Sequence, residues 1–227
     1  MSWRIDELLN ECYPIHVIPT CSRGAGSLAE IPVFRAAALK KSPAEGSWRL
    51  ENLVGVLAEI SEETPSGAVS FAAEIIAEAQ DQNEPVAWVA GTDSIFFPPD
   101  LRDRGIDLSA LAVIRAGGET ESLTAAEWLI GSGAIGLVLV DITGQGNLND
   151  GSLGRILKLA ERSQCAVVFL THKSPHDPSL GSRISLRGCV TRSGVSPFVV
   201  NISTVKDKRS NASSRQRRQY NGPSGMY

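Results

Sequence analysis

The chain has 227 residues, of which 42% are hydrophobic and 21% charged, and its formal net charge is −3 at pH 7. A chain of this length accommodates one α/β domain with attached arms, and its core needs no disulfide bonds. The cysteines are widely spaced without a C-x-x-C pair, which argues against a metal site and indicates reduced thiols. The N-terminus has no apolar segment long enough for a signal peptide or a membrane span, so we expect a cytoplasmic protein without a membrane partner.

The net charge hides an uneven distribution along the chain. The segment Lys206–Arg218 carries six basic residues and one acid, which leaves −8 for the rest of the chain. An anionic partner would therefore meet the C-terminal end first.

Residues 1–49 have an irregular pattern and are predicted to form an N-terminal arm. The arm starts with a short apolar stripe formed by Trp3, Ile5, Leu8 and Leu9. Such a stripe could bind a partner or fold back onto its own domain, and the sequence leaves both alternatives open.

From Leu50 onward, apolar runs alternate with amphipathic segments, which predicts a parallel sheet covered by helices on both faces. The predicted helices are Ala68–Ala79, Asp100–Arg104, Ser122–Ile130 and Leu153–Arg162. We expect the last two strands to be antiparallel, and we expect Trp88 and Trp128 to lie in the core. The predicted strands are Val56–Ile60, Val86–Ala90, Leu111–Ile114, Leu137–Asp141, Ala166–Leu170, Ile184–Val190 and Phe198–Val205.

The loop after the first predicted strand has the frame of a phosphate-binding loop. A functional loop has the pattern G-x-x-x-x-G-K-[ST], in which backbone amides hold phosphate oxygens, the lysine reaches the terminal phosphates and the hydroxyl holds Mg²⁺. Here Gly67 keeps the second glycine, whereas Glu62, Ala68 and Val69 replace the first glycine, the lysine and the hydroxyl residue.

These replacements remove one cation and place two carboxylates, Glu62 and Glu63, where a triphosphate would bind. Each carboxylate–phosphate pair costs roughly 1 to 4 kcal/mol near a surface. We therefore expect no cofactor and no ordinary ATP hydrolysis. On spacing alone, the same segment could also be a polar turn between a strand and a helix.

The order of these features resembles the RecA-type ATPase core from about residue 50 to residue 227. Residues 55–60 match the strand before the phosphate loop, residues 88–93 match the strand that ends in the catalytic acid, and residues 132–141 match the strand that ends in the magnesium-linked aspartate. The resemblance implies a RecA-like core at residues 50–205, with a mainly parallel central sheet flanked by helices and antiparallel C-terminal strands. A basic hairpin or tail is expected at residues 206–227.

Roles follow from this resemblance position by position. Asp141 would hold Mg²⁺ through water, Asp93 would stand for the catalytic glutamate, and His172 falls on the position that senses the nucleotide state. Together with Glu62, Gly67, Ala68 and Val69, these residues define a degenerate nucleotide site with no catalytic residue and no metal.

Among trimmed, non-hydrolysing relatives, residues 159–171 and 183–187 are most similar to the ImuA and SulA-like group. That similarity implies a scaffold in DNA repair, the SOS response or translesion synthesis, with a RecA-type recombinase or an error-prone polymerase subunit as partner. Two alternatives are a protein-binding adaptor or inhibitor without DNA contact, and a divergent active DNA-dependent ATPase.

The basic C-terminal segment is the candidate site for single-stranded DNA. Cations broken by small polar residues can neutralise several phosphates, and Tyr220 could stack on a base. Arg183, Arg187 and Arg192 could extend the surface; the alternative is a solvated hairpin or tail. The candidate DNA-binding residues are Lys206, Lys208, Arg209, Arg215, Arg217 and Arg218.

Overall fold

The computed structural model describes residues 48–64, 67–92, 94, 96–142, 148–195, 197–210 and 214–221, without the side chain of Asp103. Almost all of the predicted N-terminal arm lies outside the described residues, and so does Asp93. No helix in the described ranges is long and apolar enough to cross a membrane.

One sheet of eight strands organises the described chain, in the order β3-β2-β4-β5-β1-β6-β7-β8. The strands from β3 to β6 in this order pair in parallel, whereas β6–β7 and β7–β8 pair antiparallel. The bounds are β1 (Leu57–Glu62), β2 (Val86–Ala90), β3 (Leu111–Arg115), β4 (Leu137–Ile142), β5 (Ala166–His172), β6 (Leu186–Ser193), β7 (Phe198–Asp207) and β8 (Arg215–Tyr220).

Helices cover both faces of the parallel part, which is why its strands are continuous apolar runs. Two buried clusters result, one on each face of the sheet. One includes residues of α1 (Leu50–Leu53) and α2 (Ala68–Asp81), and the other includes residues of α3 (Glu119–Gly131) and α4 (Asp150–Ser163). Short 3-10 helices at Pro98–Arg104 and Leu108–Ala110 precede β3. The predicted α/β class and sheet arrangement are confirmed.

The C-terminal antiparallel strands follow a different rule, because only one of their faces is packed. Along β7, Val200 and Ile202 are buried in the cluster that includes α2, whereas Val199, Asn201 and Ser203 between them are only half-buried. This alternation is typical of a sheet with one solvated face.

The prediction that Trp128 lies in the core is wrong. Trp128 is 72% exposed, because α3 turns Leu123, Ala126 and Ile130 toward the sheet and Trp128 projects from another side of the helix. Trp88, by contrast, is fully buried on β2 and stacks on Phe96 with a centroid separation of 3.8 Å.

Candidate functional site

The segment predicted to be a degenerate phosphate loop lies between the carboxyl end of β1 and the start of α2, and Glu62 connects the two. One carboxylate oxygen of Glu62 accepts hydrogen bonds from the backbone N–H of Gly67 at 2.9 Å and of Ala68 at 2.8 Å. These amides belong to the N-cap and the first residue of a 14-residue helix, where N–H groups lack intrahelical partners and the helix dipole favours an anion. The Glu62 carboxylate thus takes the place that a phosphate takes in a functional loop.

Parallel pairing brings two further predicted site residues, Asp141 and His172, to the same edge of the sheet. Glu62 lies opposite His172 in the β1–β5 register, and Asp141 lies opposite Leu170 in the β4–β5 register. The cavity between them has a volume of only about 20 Å³, which is room for roughly one water molecule. Its lining consists of Glu62, Ala68, Val69, Asp141, Leu170, Thr171 and His172.

Asp141 is the next-to-last residue of β4 and is nearly buried, with 8% of its surface exposed. Its carboxylate accepts a hydrogen bond of 2.5 Å from the Ser94 hydroxyl. Burial raises the pKa of Asp141 above its ordinary value, against the opposing effects of the Ser94 hydrogen bond and the charge of His172. The folded protein therefore holds the Asp141 proton to a higher pH than the unfolded chain does.

We expect Asp141→Asn to make the protein more stable at pH 7 and to flatten part of its pH dependence. The raised pKa of Asp141 means that stability is lost as pH rises from about 3.8 through the folded-state pKa, and asparagine cannot ionise. Urea unfolding of both proteins at pH 4, 5.5 and 7 measures the difference.

Asp107→Asn is the control, because hydrogen bonds from Ser109 lower the pKa of Asp107. Its carboxylate contributes stability above the unfolded pKa that is lost as pH falls, so this variant should be less stable at pH 7. A loss of stability at pH 7 in Asp141→Asn would contradict the raised pKa of Asp141.

A nucleotide with Mg²⁺, which the RecA-like resemblance implies, does not fit these residues. The loop amides of Gly67 and Ala68 are already bound to Glu62, and Ala68 and Val69 supply neither a cation nor a hydroxyl. The cavity beside them is far smaller than the several hundred Å³ of typical ligand pockets. The described residues of the site hold its own carboxylate and do not include the lysine and hydroxyl that bind a triphosphate.

A buried ionic cluster lies under the loop that follows β5, and sequence reasoning did not find it. Glu59, fully buried on β1, lies 3.7 Å from the Lys173 ammonium and 3.8 Å from the Arg187 guanidinium. The carboxylate of Glu59 also accepts hydrogen bonds from the Thr171 hydroxyl and the Leu180 N–H. Lys173 donates to a loop carbonyl, that of Pro178, and so fixes the loop to the sheet.

Arg187 does not extend a surface, contrary to the sequence-based suggestion, because only 2% of its side chain is exposed. It donates to the carbonyls of Ser174 and Asp177 and to the Ser61 hydroxyl. The suggestion that the Tyr220 ring could stack on a base is also wrong. Tyr220 is 9% exposed, its hydroxyl donates to Glu74 at 2.8 Å, and the Arg104 guanidinium covers its ring at 4.5 Å.

The six candidate DNA-binding residues separate into two groups. Lys206 donates to the Ser179 hydroxyl at 2.9 Å, Lys208 donates to the Ser182 carbonyl, and Arg218 pairs with Glu74 at 3.2 Å. Arg209 donates to the Asn52 carbonyl and lies 4.0 Å from an Asp207 oxygen. Among the described residues, the side chains of Arg215 and Arg217 make no ion pair and lie exposed on β8.

The partners in two contacts of this region could not be identified from the sequence. Ser94, which holds Asp141, lies 47 positions away and after a loop, and Glu59 lies inside an apolar run 114 positions before Lys173. A glutamate in a buried strand was the available clue, since such a residue requires a partner.

No protein-family model matches the chain. It is 30% identical over 125 residues to Protein RecA of Chlorobium limicola, a match that covers 52% of this chain and 35% of the relative. It is 26% identical over 155 residues to Protein RecA of Chlorobium chlorochromatii, with 62% and 44% covered. Protein RecA of Rhodospirillum centenum is 26% identical over 173 residues, with 65% and 48% covered.

The matched segments thus span between about a third and a half of the length of these relatives. The strand order, the parallel core and the antiparallel C-terminal strands are consistent with a RecA-like fold. Weak but repeated similarity to RecA and a consistent fold together support a RecA-like family for this chain.

Proposed function

We propose that the chain is a RecA-like protein that does not hydrolyse nucleotide and acts as a scaffold in DNA repair or damage-induced mutagenesis. The observation that supports it best is the Glu62 carboxylate, which is bound by the loop amides of Gly67 and Ala68. A carboxylate of the same chain thus occupies the two amides that would otherwise bind a phosphate. In this proposal the fold provides a surface for single-stranded DNA and for a partner protein.

The energetic argument concerns what ATP would have to displace. Each amide–carboxylate hydrogen bond contributes about 1.5 to 3 kcal/mol, and a displaced Glu62 would face both the phosphates and Asp141. The Ala68 side chain offers no cation to offset that repulsion. Glu62 therefore acts against nucleotide binding twice, as a competitor for the amides and as a negative charge.

The test exploits the fact that removal of Glu62 should vacate the two amides. We expect wild-type protein to show no rise in melting temperature with pyrophosphate or Mg-ATP. Glu62→Ala should be less stable by about 3 kcal/mol or more, because the start of α2 loses both charge-assisted hydrogen bonds and its N-terminal anion. Pyrophosphate should then restore part of that stability in Glu62→Ala alone.

Glu63→Ala is the matched control, since it removes the neighbouring exposed carboxylate and leaves the two amide hydrogen bonds in place. It should behave like wild type in both measurements. Mg²⁺-dependent ATP turnover by the wild-type protein, stimulated by DNA, would overturn the proposal and favour a divergent active recombinase.

The biological setting and the partner are carried by the resemblance to the ImuA and SulA-like group. A RecA-type recombinase and an error-prone polymerase subunit are the two partners we propose to test by co-purification. A result with neither would remove the translesion part of the proposal and leave the nucleotide-independent scaffold.

A second candidate function, a protein-binding adaptor without DNA contact, is favoured by one observation. Four of the six basic residues that suggested DNA binding make contacts within the fold, including the Arg218–Glu74 ion pair at 3.2 Å. Mobility shift of single-stranded DNA across a salt series separates the two functions, because an adaptor would produce no shift at any salt concentration.

A further inference from the structure

The open face of the C-terminal strands carries a groove that the proposed function does not yet account for. The groove measures about 540 Å³ and is lined by Ser193, Val199, Asn201, Arg215 and Arg217. Its floor is the β6–β7–β8 ladder, in which Ser193 pairs with Val199 and Asn201 pairs with Arg217. The opposite face of the same strands packs against the core through Val200, Ile202 and Tyr220.

The strand period explains why Arg215 and Arg217 share this face and Arg218 does not. Side chains two positions apart on a strand point the same way, and their Cα atoms lie about 6.6 Å apart. Arg218 and Tyr220 point to the other face, where both contact Glu74 of α2. The two guanidinium groups in the groove can therefore each contact a separate phosphate of one extended strand.

Along β6–β8 themselves, the charges on this face are of one sign. The other residues that the ladder places beside the two arginines are neutral: Thr191, Ser193, Val199, Asn201, Ser203 and Gln219. Several of them carry hydroxyl or amide donors, and none is an acid. Such a surface attracts an anion that presents many acceptor oxygens.

We propose that this groove binds the sugar-phosphate backbone of single-stranded nucleic acid through Arg215 and Arg217; this inference rests on the DNA-binding part of the proposed function. Among the described residues that line it, the groove has no aromatic side chain on which a base could stack, since Tyr220 is on the other face. Val199 is the one apolar side chain among these lining residues, so they offer little of the apolar anchoring that dominates protein–protein contacts. Binding is therefore carried by phosphates and is independent of base sequence.

The test compares two double variants that remove the same charge from the same segment. Arg215→Gln/Arg217→Gln removes the groove cations, and Lys208→Gln/Arg209→Gln removes two cations that contact the fold. We expect the groove variant to bind a fluorescent oligo-deoxythymidine at least tenfold more weakly than wild type, and the control variant less than threefold more weakly. The negative slope of log K against log salt should become shallower by about 1.4 in the groove variant, since each single-strand phosphate contact contributes about −0.7 to the slope.

The outcomes distinguish the groove from the wider proposal. Equal weakening in both variants would overturn the proposal that the groove binds DNA, because binding would then follow net charge. Wild-type affinity in a folded groove variant would overturn it too, while DNA binding itself would stand. No binding by wild type would overturn both the groove and the DNA-binding function. Displacement of the oligonucleotide by polyglutamate at equal charge concentration would reassign the groove to an acidic protein partner.

Discussion

Glu59→Gln should lower the free energy of unfolding by about 3 to 5 kcal/mol, because it leaves the Lys173 and Arg187 charges buried without their carboxylate. Those side chains are 5% and 2% exposed, so water can replace little of the lost interaction. Glutamine keeps the shape of Glu59, and its amide can still bond the Leu180 N–H and the Thr171 hydroxyl. The loss therefore reports the charge more than the packing.

Urea unfolding measures this effect, with Glu127→Gln as the control. Glu127 pairs with Arg155 at 3.0 Å on the surface, where the Arg155 side chain is 62% exposed. An exposed pair of this kind contributes at most about 1 kcal/mol. Similar losses of stability in the two variants would mean that water screens the Glu59 cluster as it screens the surface pair.

The same variant should also loosen the loop that follows β5. In Glu59→Gln the Leu180 N–H keeps an acceptor, but a neutral amide oxygen binds it more weakly than the carboxylate does. Arg187 and Lys173, which lose their counter-ion, bond the loop carbonyls of Ser174, Asp177 and Pro178. We expect faster hydrogen exchange of the Leu180 amide in Glu59→Gln than in wild type, beyond the general loss of stability.

The parallel core could be predicted from the sequence because its signals are local. Runs such as Leu137–Val140 are apolar throughout, and the intervening segments have helical spacing, so the sheet class follows without any long-range information. Trp128 shows the limit of the same method. Its helix was predicted, but the face that meets the sheet depends on the exact rotation of α3, which one aromatic residue does not decide.

The candidate site was only partly predictable, because its key contacts depend on register and backbone path. The sequence indicates carboxylates at the phosphate position, but not that Glu62 would turn back to bond the amides of Gly67 and Ala68. Similarly, six cations within a short segment appear as one surface in the sequence. The alternation of β8 places Arg217 in the groove and Arg218 against Glu74, a separation that requires knowing that the segment is a strand.

Gly188→Ala should destabilise the protein by about 1 to 3 kcal/mol through overpacking. A Cβ atom at this position on β6 would lie 2.5 Å from Cζ2 of Trp48 and 2.6 Å from Cδ1 of Ile202. Both distances are well below contact distance, and both neighbours are buried, with exposures of 4% and 1%. Gly154→Ala is the control, because a Cβ there meets no atom within 4 Å and alanine favours the helical backbone of α4.

Double variants can identify which neighbour clashes with the new methyl group. If the clash is with Ile202, Ile202→Val should recover part of the stability lost in Gly188→Ala, although Ile202→Val alone costs about 0.5 to 1.5 kcal/mol. If the clash is with Trp48, Trp48→Phe should recover the lost stability instead, since phenylalanine lacks the Cζ2 atom of the indole. Recovery by neither change would place the strain in the β6 backbone, where the pairing with β7 shifts between Arg187 and Gly188. A Gly188→Ala variant as stable as wild type would show that this close packing of Trp48 across β6 is absent in solution.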